Sequence, residues 1–309
     1  MQGHSAHTPA NANRKALIIT GWLTGVYFLL ELGIGIYTGS ISVLSDAFHT
    51  FSAVGGVVLA FVAARIAMRP ADKSRTFGSY RAEIVGALLN GGFLLAMAIL
   101  VFVMGAMRLN DPIDLPTTPM LLAALGGLIT EVISLKLLYS GQKGDINMRG
   151  AFWHVMQTFI GSLLIIVAAL VIKFTGFYAI DPILGMAFGV VLLLVSFGII
   201  REAFGILMEN APEDLDLDAL VGKLKAIPGV IDLHHIHAWT LTSGKLLFSA
   251  HCHIDKNKPA DKILPVAHEI LRKDFGIYFS TIQMETECQD ETETNDLDFI
   301  TPAKGESHE

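Results

Sequence analysis

The chain has 309 residues, 52% of them hydrophobic and only 17% charged, where ordinary soluble domains carry about 25% charge. Its formal net charge of −7 gives no reason to expect a nucleic-acid partner, and two cysteines are too few for a disulfide framework. Apolar runs fill residues 15–208, and residues 209–309 read as an ordinary soluble sequence, so two domains in different solvents are expected.

The polar N-terminus, with His4 and His7, lacks the apolar core of a secretory signal and reads as a tail. Six stretches then reach the roughly 20 apolar residues that a spanning helix needs. They lie near 15–37, 42–67, 81–107, 118–140, 150–173 and 180–207. Short links after the first and fifth force antiparallel neighbours. Lys and Arg fix the orientation. Arg14 and Lys15 precede helix 1; Arg65, Arg69, Lys73, Arg75 and Arg81 follow helix 2; Lys136, Lys143 and Arg149 follow helix 4; Arg201 ends helix 6. The other side holds little beyond Arg108 and Lys173. Both termini are therefore expected in the cytoplasm of a multi-pass protein in the cell's inner (cytoplasmic) membrane.

Beyond Met208 the pattern predicts a helix over 214–226, a strand over 230–241, a turn at Thr242-Ser243-Gly244-Lys245 and a strand over 246–255. An amphipathic helix over 259–275 and a strand over 277–285 follow. The order αββαβ is a small α+β domain. The expected division is a disordered cytosolic tail over 1–13, a six-helix transmembrane domain over 14–208, a cytosolic domain over 209–288 and a disordered acidic tail over 289–309. Cys252 and Cys288 fall in the soluble part, where a reducing compartment is expected, and Cys252 reads as a buried apolar thiol.

Ionisable groups inside the bilayer need a partner or a purpose. They are Glu31, Asp46, His49, Glu83, Glu131 and His154, with Asn90 and Gln157 as polar companions. Asp46 and His49 share a helix face, as do His154, Gln157 and Thr158. Two histidines on two helices, each with an oxygen donor one turn away, could converge on one cation, and imidazole suits zinc. In the soluble part, His234, His235, His237, His251 and His253 crowd the predicted hairpin. Alternation puts His235 and His237 on one face and His234 on the other. No nucleophile–base pair, phosphate loop or HExxH motif is found, so an enzyme is not expected.

Several segments in order resemble the cation diffusion facilitator family of divalent-metal/proton antiporters. They are Ser40-Ile41-Ser42-Val43-Leu44-Ser45-Asp46-Ala47-Phe48-His49, then Pro70-Ala71-Asp72 with Phe77-Gly78-Ser79-Tyr80-Arg81-Ala82-Glu83, then Asn90, Arg149-Gly150-Ala151-Phe152-Trp153-His154-Val155 and Asp181-Pro182-Ile183. The hairpin signature His234-His235-Ile236-His237-Ala238-Trp239 with Ser249-Ala250-His251 completes the set. The resemblance implies a homodimeric integral membrane protein with six transmembrane helices per protomer. It also implies a ferredoxin-like, metallochaperone-like cytosolic domain, and export of zinc or a related divalent ion in exchange for protons.

The family's transport site takes two ligands from helix 2 and two from helix 5, each pair a His or Asp followed four residues later by Asp. Here His49 and His154 are present, but the second positions hold Ala53 and Thr158. Three readings follow: a rebuilt site in which Asp46 supplies charge and Gln157 or Thr158 supplies oxygen; a fold kept as a metal sensor or heterodimer partner; or a disabled transporter. Zinc is favoured, with iron, manganese, cobalt and nickel open. Glu31 and Asn90 match family positions and read as packing or pathway residues. In the cytosolic domain the resemblance implies metal at His234, His251, His268 and Glu285, with Gln283 where relatives have His. Metal there would act as a regulatory ligand as well as a substrate.

Overall fold

The computed structural model describes residues 9–140 and 146–287, without the side chains of residues 9–14, 53, 57, 58, 60 and 146–150. His4, His7, Lys143, Cys288 and the acidic tail lie outside the described residues. Among the described residues, six helices are long and apolar enough to cross a membrane. They are α1 (Pro9–Thr38), α2 (Ile41–Ala67), α3 (Ala82–Asn110), α4 (Thr117–Tyr139), α5 (Ile146–Thr175) and α6 (Ile180–Leu207). Helix α1 starts earlier than the predicted span because Pro9 suits a first helical position and Ala-Asn-Ala-Asn continues it before the apolar stretch begins.

The chain divides into two compact units, residues 1–65 with 85–201 and residues 66–84 with 202–309. In the first, α4 packs against α1 and α5. Leu94 and Ala98 of α3 meet Phe188 and Leu192 of α6, and Val43 of α2 joins Met120 of α4 and Ile165 of α5. Trp22, Leu29, Ile36, Phe174 and Leu194 stay exposed, as lipid-facing residues should.

Asp181 locks two of these helices. Its Oδ1 accepts from the Ser40 hydroxyl at 2.5 Å and from the Ser42 N–H at 3.2 Å, and its Oδ2 accepts from the Ile41 N–H at 2.7 Å. The Ser42 hydroxyl returns a bond of 2.8 Å to the Asp181 carbonyl. A carboxylate at the start of α6 thus caps the start of α2, satisfying donors that a helix N-terminus leaves orphaned. The two backbones approach so closely that a Cβ at Gly185 would lie 2.8 Å from the Ile41 carbonyl carbon.

The second unit holds α7 (Leu217–Lys225), β1 (Val230–Thr242), β2 (Lys245–Ile254), α8 (Ala260–Phe275) and β3 (Phe279–Glu285). Strand β2 is central, antiparallel to β1 and parallel to β3. Asp216 caps α7 by accepting from the Ala219 N–H. Gly276 ends α8 in the left-handed conformation with φ +67°. Leu220, Leu224, Leu233, Ile236, Phe248, Ala267 and Leu271 form the core between helices and sheet. The predicted αββαβ order is the observed one.

The 66–84 segment packs in this same unit. Arg81 pairs with Glu209 at 2.6 Å, and the Lys245 ammonium sits 3.5 Å from the Tyr80 ring centroid. Glu83, read from sequence as an ionisable group inside the bilayer, falls in the first turn of α3 and accepts from the Thr242 hydroxyl at 2.5 Å.

Asp181→Ala should strand the Ile41 and Ser42 N–H groups in a buried place and cost about 2 kcal/mol. Thermal unfolding in detergent, followed by size-exclusion chromatography, should show a midpoint several degrees lower. An unchanged midpoint would rule out the cap as a stabilising contact.

Candidate metal centres

His49 of α2 and His154 of α5 meet inside the first unit, with ring centroids 4.9 Å apart and planes 32° apart. His49 is 3% exposed, and neither of its ring nitrogens has a hydrogen-bond partner of good geometry; Nε2 of His154 is likewise unpartnered. Gln157 interacts with the His49 ring, and Phe188 packs edge-on against it. Buried imidazoles that face each other with ring nitrogens short of well-formed hydrogen bonds can turn a lone pair to a cation. The Thr158 hydroxyl donates to the Val155 carbonyl at 2.9 Å. Residue 53 has no described side chain, and an alanine brings no donor atom.

Asp46 lies one helical turn before His49 and is 1% exposed. It faces Gly161 of α5 so closely that a Cβ there would come within 2.3 Å of its Oδ1. Its carboxyl contacts that of Glu31 and lies within electrostatic reach of Glu131, and neither Asp46 oxygen receives a donor. Glu31 and Glu131 each keep one unpartnered oxygen; the other takes the Tyr27 hydroxyl at 3.4 Å and the Ser162 hydroxyl at 2.9 Å, respectively. Four helices thus bring three carboxyl groups together. Glu131 also lines a small polar cavity with Tyr27, Thr50, Ser134 and Thr158. From sequence Glu31 reads as a packing or pathway residue and Glu131 only as an ionisable group inside the bilayer, because a lone glutamate does not reveal which helix it will face.

The second cluster lies on the sheet. Among the described residues, His234, His251 and Glu285 have ligand atoms all within 4.8 Å of one another. Nδ1 of His251 is 2.9 Å from Oε1 of Glu285, and Nε2 of His234 is 3.3 Å from Oε2. Glu285 is 8% exposed, and its Oε2 has no hydrogen bond of good geometry. Gln283 donates to its Oε1 at 2.7 Å and so orients the carboxylate. An orphaned, buried carboxylate oxygen between two imidazoles fits a divalent ion. His268 points elsewhere: its Nδ1 lies 2.7 Å from the Ser280 hydroxyl.

Simple alternation fails at His235. The β1–β2 register shifts between His234, opposite His251, and His237, opposite Ser249, so the ladder carries a bulge. His235 takes φ +49°, and its ring lands 5.2 Å from that of His234 and 5.1 Å from that of His251. It joins His234 instead of pointing to the other side. Ile236 is then buried in place of His235.

Cys252 sits on β2 between His251 and His253, and its side chain points into the hydrophobic core. Burial raises its pKa to about 11, with the Asp232 and Glu285 charges adding to the shift. Its side chain faces the core, away from His251 on the other face of β2, which removes it from the ligand set.

A family model for the cation efflux transmembrane domain matches residues 17–208, and one for the cation efflux protein cytoplasmic domain matches residues 212–287. The chain is 35% identical to the metal cation efflux system protein CzcD of Cupriavidus metallidurans over 284 residues, covering 92% of this chain and 90% of that protein. It is 31% identical to a cadmium, cobalt and zinc/H(+)-K(+) antiporter of Bacillus subtilis over 283 residues, with 90% of each chain covered. The zinc transporter ZitB of Pectobacterium atrosepticum is 31% identical over 294 residues, covering 94% of this chain and 91% of that one. A solved metal-bound C-terminal domain of the CzcD transporter from Cupriavidus metallidurans is 35% identical. It covers 23% of this chain and 99% of its own, with a TM-score of 0.23.

The Cys252 thiol gives a pH-dependent readout of native packing. In a Cys288→Ser background at pH 8, about one thiol in a thousand is ionised. Alkylation should be slow in the native protein, accelerate toward pH 11 and become fast at any alkaline pH on unfolding. Fast native labelling at pH 8 would contradict the buried position.

Proposed function

This chain belongs to the cation efflux (cation diffusion facilitator) family of divalent metal cation transporters, and we propose that it exports zinc from the cytoplasm in exchange for protons through a rebuilt intramembrane site. It is a multi-pass membrane protein with a cytoplasmic C-terminal domain, and it is not an enzyme. The observation that carries the proposal is the pair of buried imidazoles, His49 and His154, which face each other 4.9 Å apart on two helices with Nε2 of His154 unpartnered. A zinc ion held by two imidazole nitrogens at about 2.0–2.1 Å needs ring centroids about 5 Å apart.

Two neutral ligands leave a dication's charge uncompensated in low dielectric. With Ala53 and Thr158 at the positions where the family has carboxylates, the charge comes from Asp46, one turn from His49, backed by Glu31 and Glu131. Gln157 offers the nearby oxygen. Protons are the natural counter-ion for a site built of imidazoles and carboxyls. Relatives named as zinc transporters and as a cadmium, cobalt and zinc antiporter support both the ion and the exchange.

The functional unit is a homodimer in the cytoplasmic membrane with both termini inside. The positive residues between helices 2 and 3 and between 4 and 5 support this orientation. In the cytoplasmic domain, His234, His251 and Glu285 bind a divalent ion that reports the cytosolic level to the transporter, since a ligand stabilises only the state that it prefers.

Purified protein in liposomes should take up zinc saturably under an imposed proton gradient. His49→Ala/His154→Ala should abolish the uptake, and Asp46→Asn should lower the maximal rate at least about tenfold, a loss of about 1.4 kcal/mol of transition-state stabilisation. Uptake no greater than in empty liposomes would refute zinc export by this chain. Uptake unaffected by the double variant would refute the site.

A further inference from the structure

Three histidine rings on the cytoplasmic sheet stand at nearly equal spacing. The centroids of His234, His235 and His251 are 5.2, 5.3 and 5.1 Å apart, with interplanar angles of 63°, 70° and 67°. Tetrahedral zinc with imidazole nitrogens at about 2.0–2.1 Å sets its ring centroids about 5.2 Å apart and its ligand atoms about 3.3 Å apart. The distance of 3.3 Å between Nε2 of His234 and Oε2 of Glu285 fits that edge length. Edge-to-face packing alone tolerates any spacing from about 4.5 to 7 Å, so it does not select three equal separations.

The backbone adds an independent observation. His235 has φ +49°, one of two non-glycine residues with positive φ among those described. Holding a non-glycine residue there costs of order 1–3 kcal/mol, and such strain clusters at ligand sites. The bulge that imposes it does one thing to the side chain: it moves the ring from the core-facing side of β1 to the side of His234 and His251. Without the bulge, strict alternation would place His235 where Ile236 now fills the core.

We infer that His235, whose ring is in place but whose nitrogens are not among the ligand atoms within 4.8 Å of one another, turns its ring to become a third imidazole ligand of the cytoplasmic metal site, so that His234, His235, His251 and Glu285 form a closed four-ligand set for zinc or another ion that accepts tetrahedral geometry. The inference rests on the reading of His234, His251 and Glu285 as a metal site, and it names that site's missing ligand and its preference. A closed set of three nitrogens and one carboxylate leaves no open position, as in structural or sensory sites and unlike catalytic ones. It also disfavours manganese and magnesium, which seek more oxygen ligands.

The test uses the full-length protein carrying His49→Ala/His154→Ala, which removes the membrane imidazole pair, titrated with cobalt(II) and followed by visible absorption. Zinc competition then gives the affinity. The parent should show the intense bands of tetrahedral cobalt, and Glu285→Ala should lose them. His235→Asn and His235→Gly both tolerate the left-handed backbone, so the bulge and the chromatographic profile should persist. Each should weaken binding at least about tenfold and replace the spectrum with the weak bands of higher coordination. If both His235 variants keep the parent's spectrum and affinity while Glu285→Ala loses them, the cytoplasmic site stands and His235 is not a ligand. If Glu285→Ala also changes nothing, the cytoplasmic site itself is wrong, and the inference falls with it.

Discussion

An ionisable side chain in hydrocarbon costs several kcal/mol unless it meets a partner or water, and that constraint organises the transmembrane unit. Glu31, Asp46, His49 and Glu131 are all buried; Asp46, His49 and Glu131 meet residues of α5, and Glu31 of α1 meets Asp46. Large apolar residues such as Trp22 and Leu194 take the outside. Buried polar groups then fall into two kinds. Asp181 has both oxygens satisfied by hydroxyl and backbone donors, which marks a structural lock. Asp46 and His49 are as deeply buried but lack a hydrogen bond of good geometry: Asp46 meets only the Glu31 carboxyl, and His49 only Gln157. Native interiors seldom leave such groups orphaned without a functional reason.

The same distinction separates the parts of the cytoplasmic sheet. On β2, Ala250, Cys252 and Ile254 enter the core, while His251 and His253 take the other face. That alternation is undisturbed, and the high thiol pKa of Cys252 follows from it. On β1 the ladder breaks at the histidines. Glu285, at the end of β3, is held by Gln283 and by His251, yet keeps one oxygen toward His234 without a proper bond. The strained backbone and the unsatisfied oxygen occur together, and neither is needed to close the sheet.

Much of the fold was legible in the chain. Long apolar runs, the short links at Gly39 and Gly176, and period-two and period-3.6 patterns located all eleven elements to within a few residues, apart from the early start of α1. Those signals are local, and local signals survive folding. What the pattern missed depends on partners or register. Glu131 is an isolated acid until α4 meets Ser162 of α5. Glu83 reads as intramembrane until the start of α3 meets Thr242. His235 obeys alternation on paper because alternation assumes that every residue of β1 pairs with one of β2. A bulge is invisible to that count. The pairing of His49 with His154 could be suspected from two intramembrane histidines with oxygen donors nearby and is strengthened by the family resemblance, but nothing in the spacing of residues more than 100 positions apart fixes α2 beside α5.

The two candidate centres differ in where they keep their negative charge, and the difference suits the roles proposed for them. In the cytoplasmic set the carboxylate of Glu285 touches the imidazoles directly, so an ion there would bind an anion in its coordination shell and dissociate slowly. In the proposed transport site the ligand positions after His49 and His154 are uncharged, and the acids stand a turn away. At an effective dielectric of 20, unit charges attract by about 4 kcal/mol at 4 Å and about 2 kcal/mol at 8 Å. Withdrawing the carboxylates by one helical turn therefore keeps part of the attraction while removing the bond that an ion must break to leave. A transporter with high turnover gains from that arrangement, because release on the far side is easier when charge is compensated through space. A sensor gains from the opposite one.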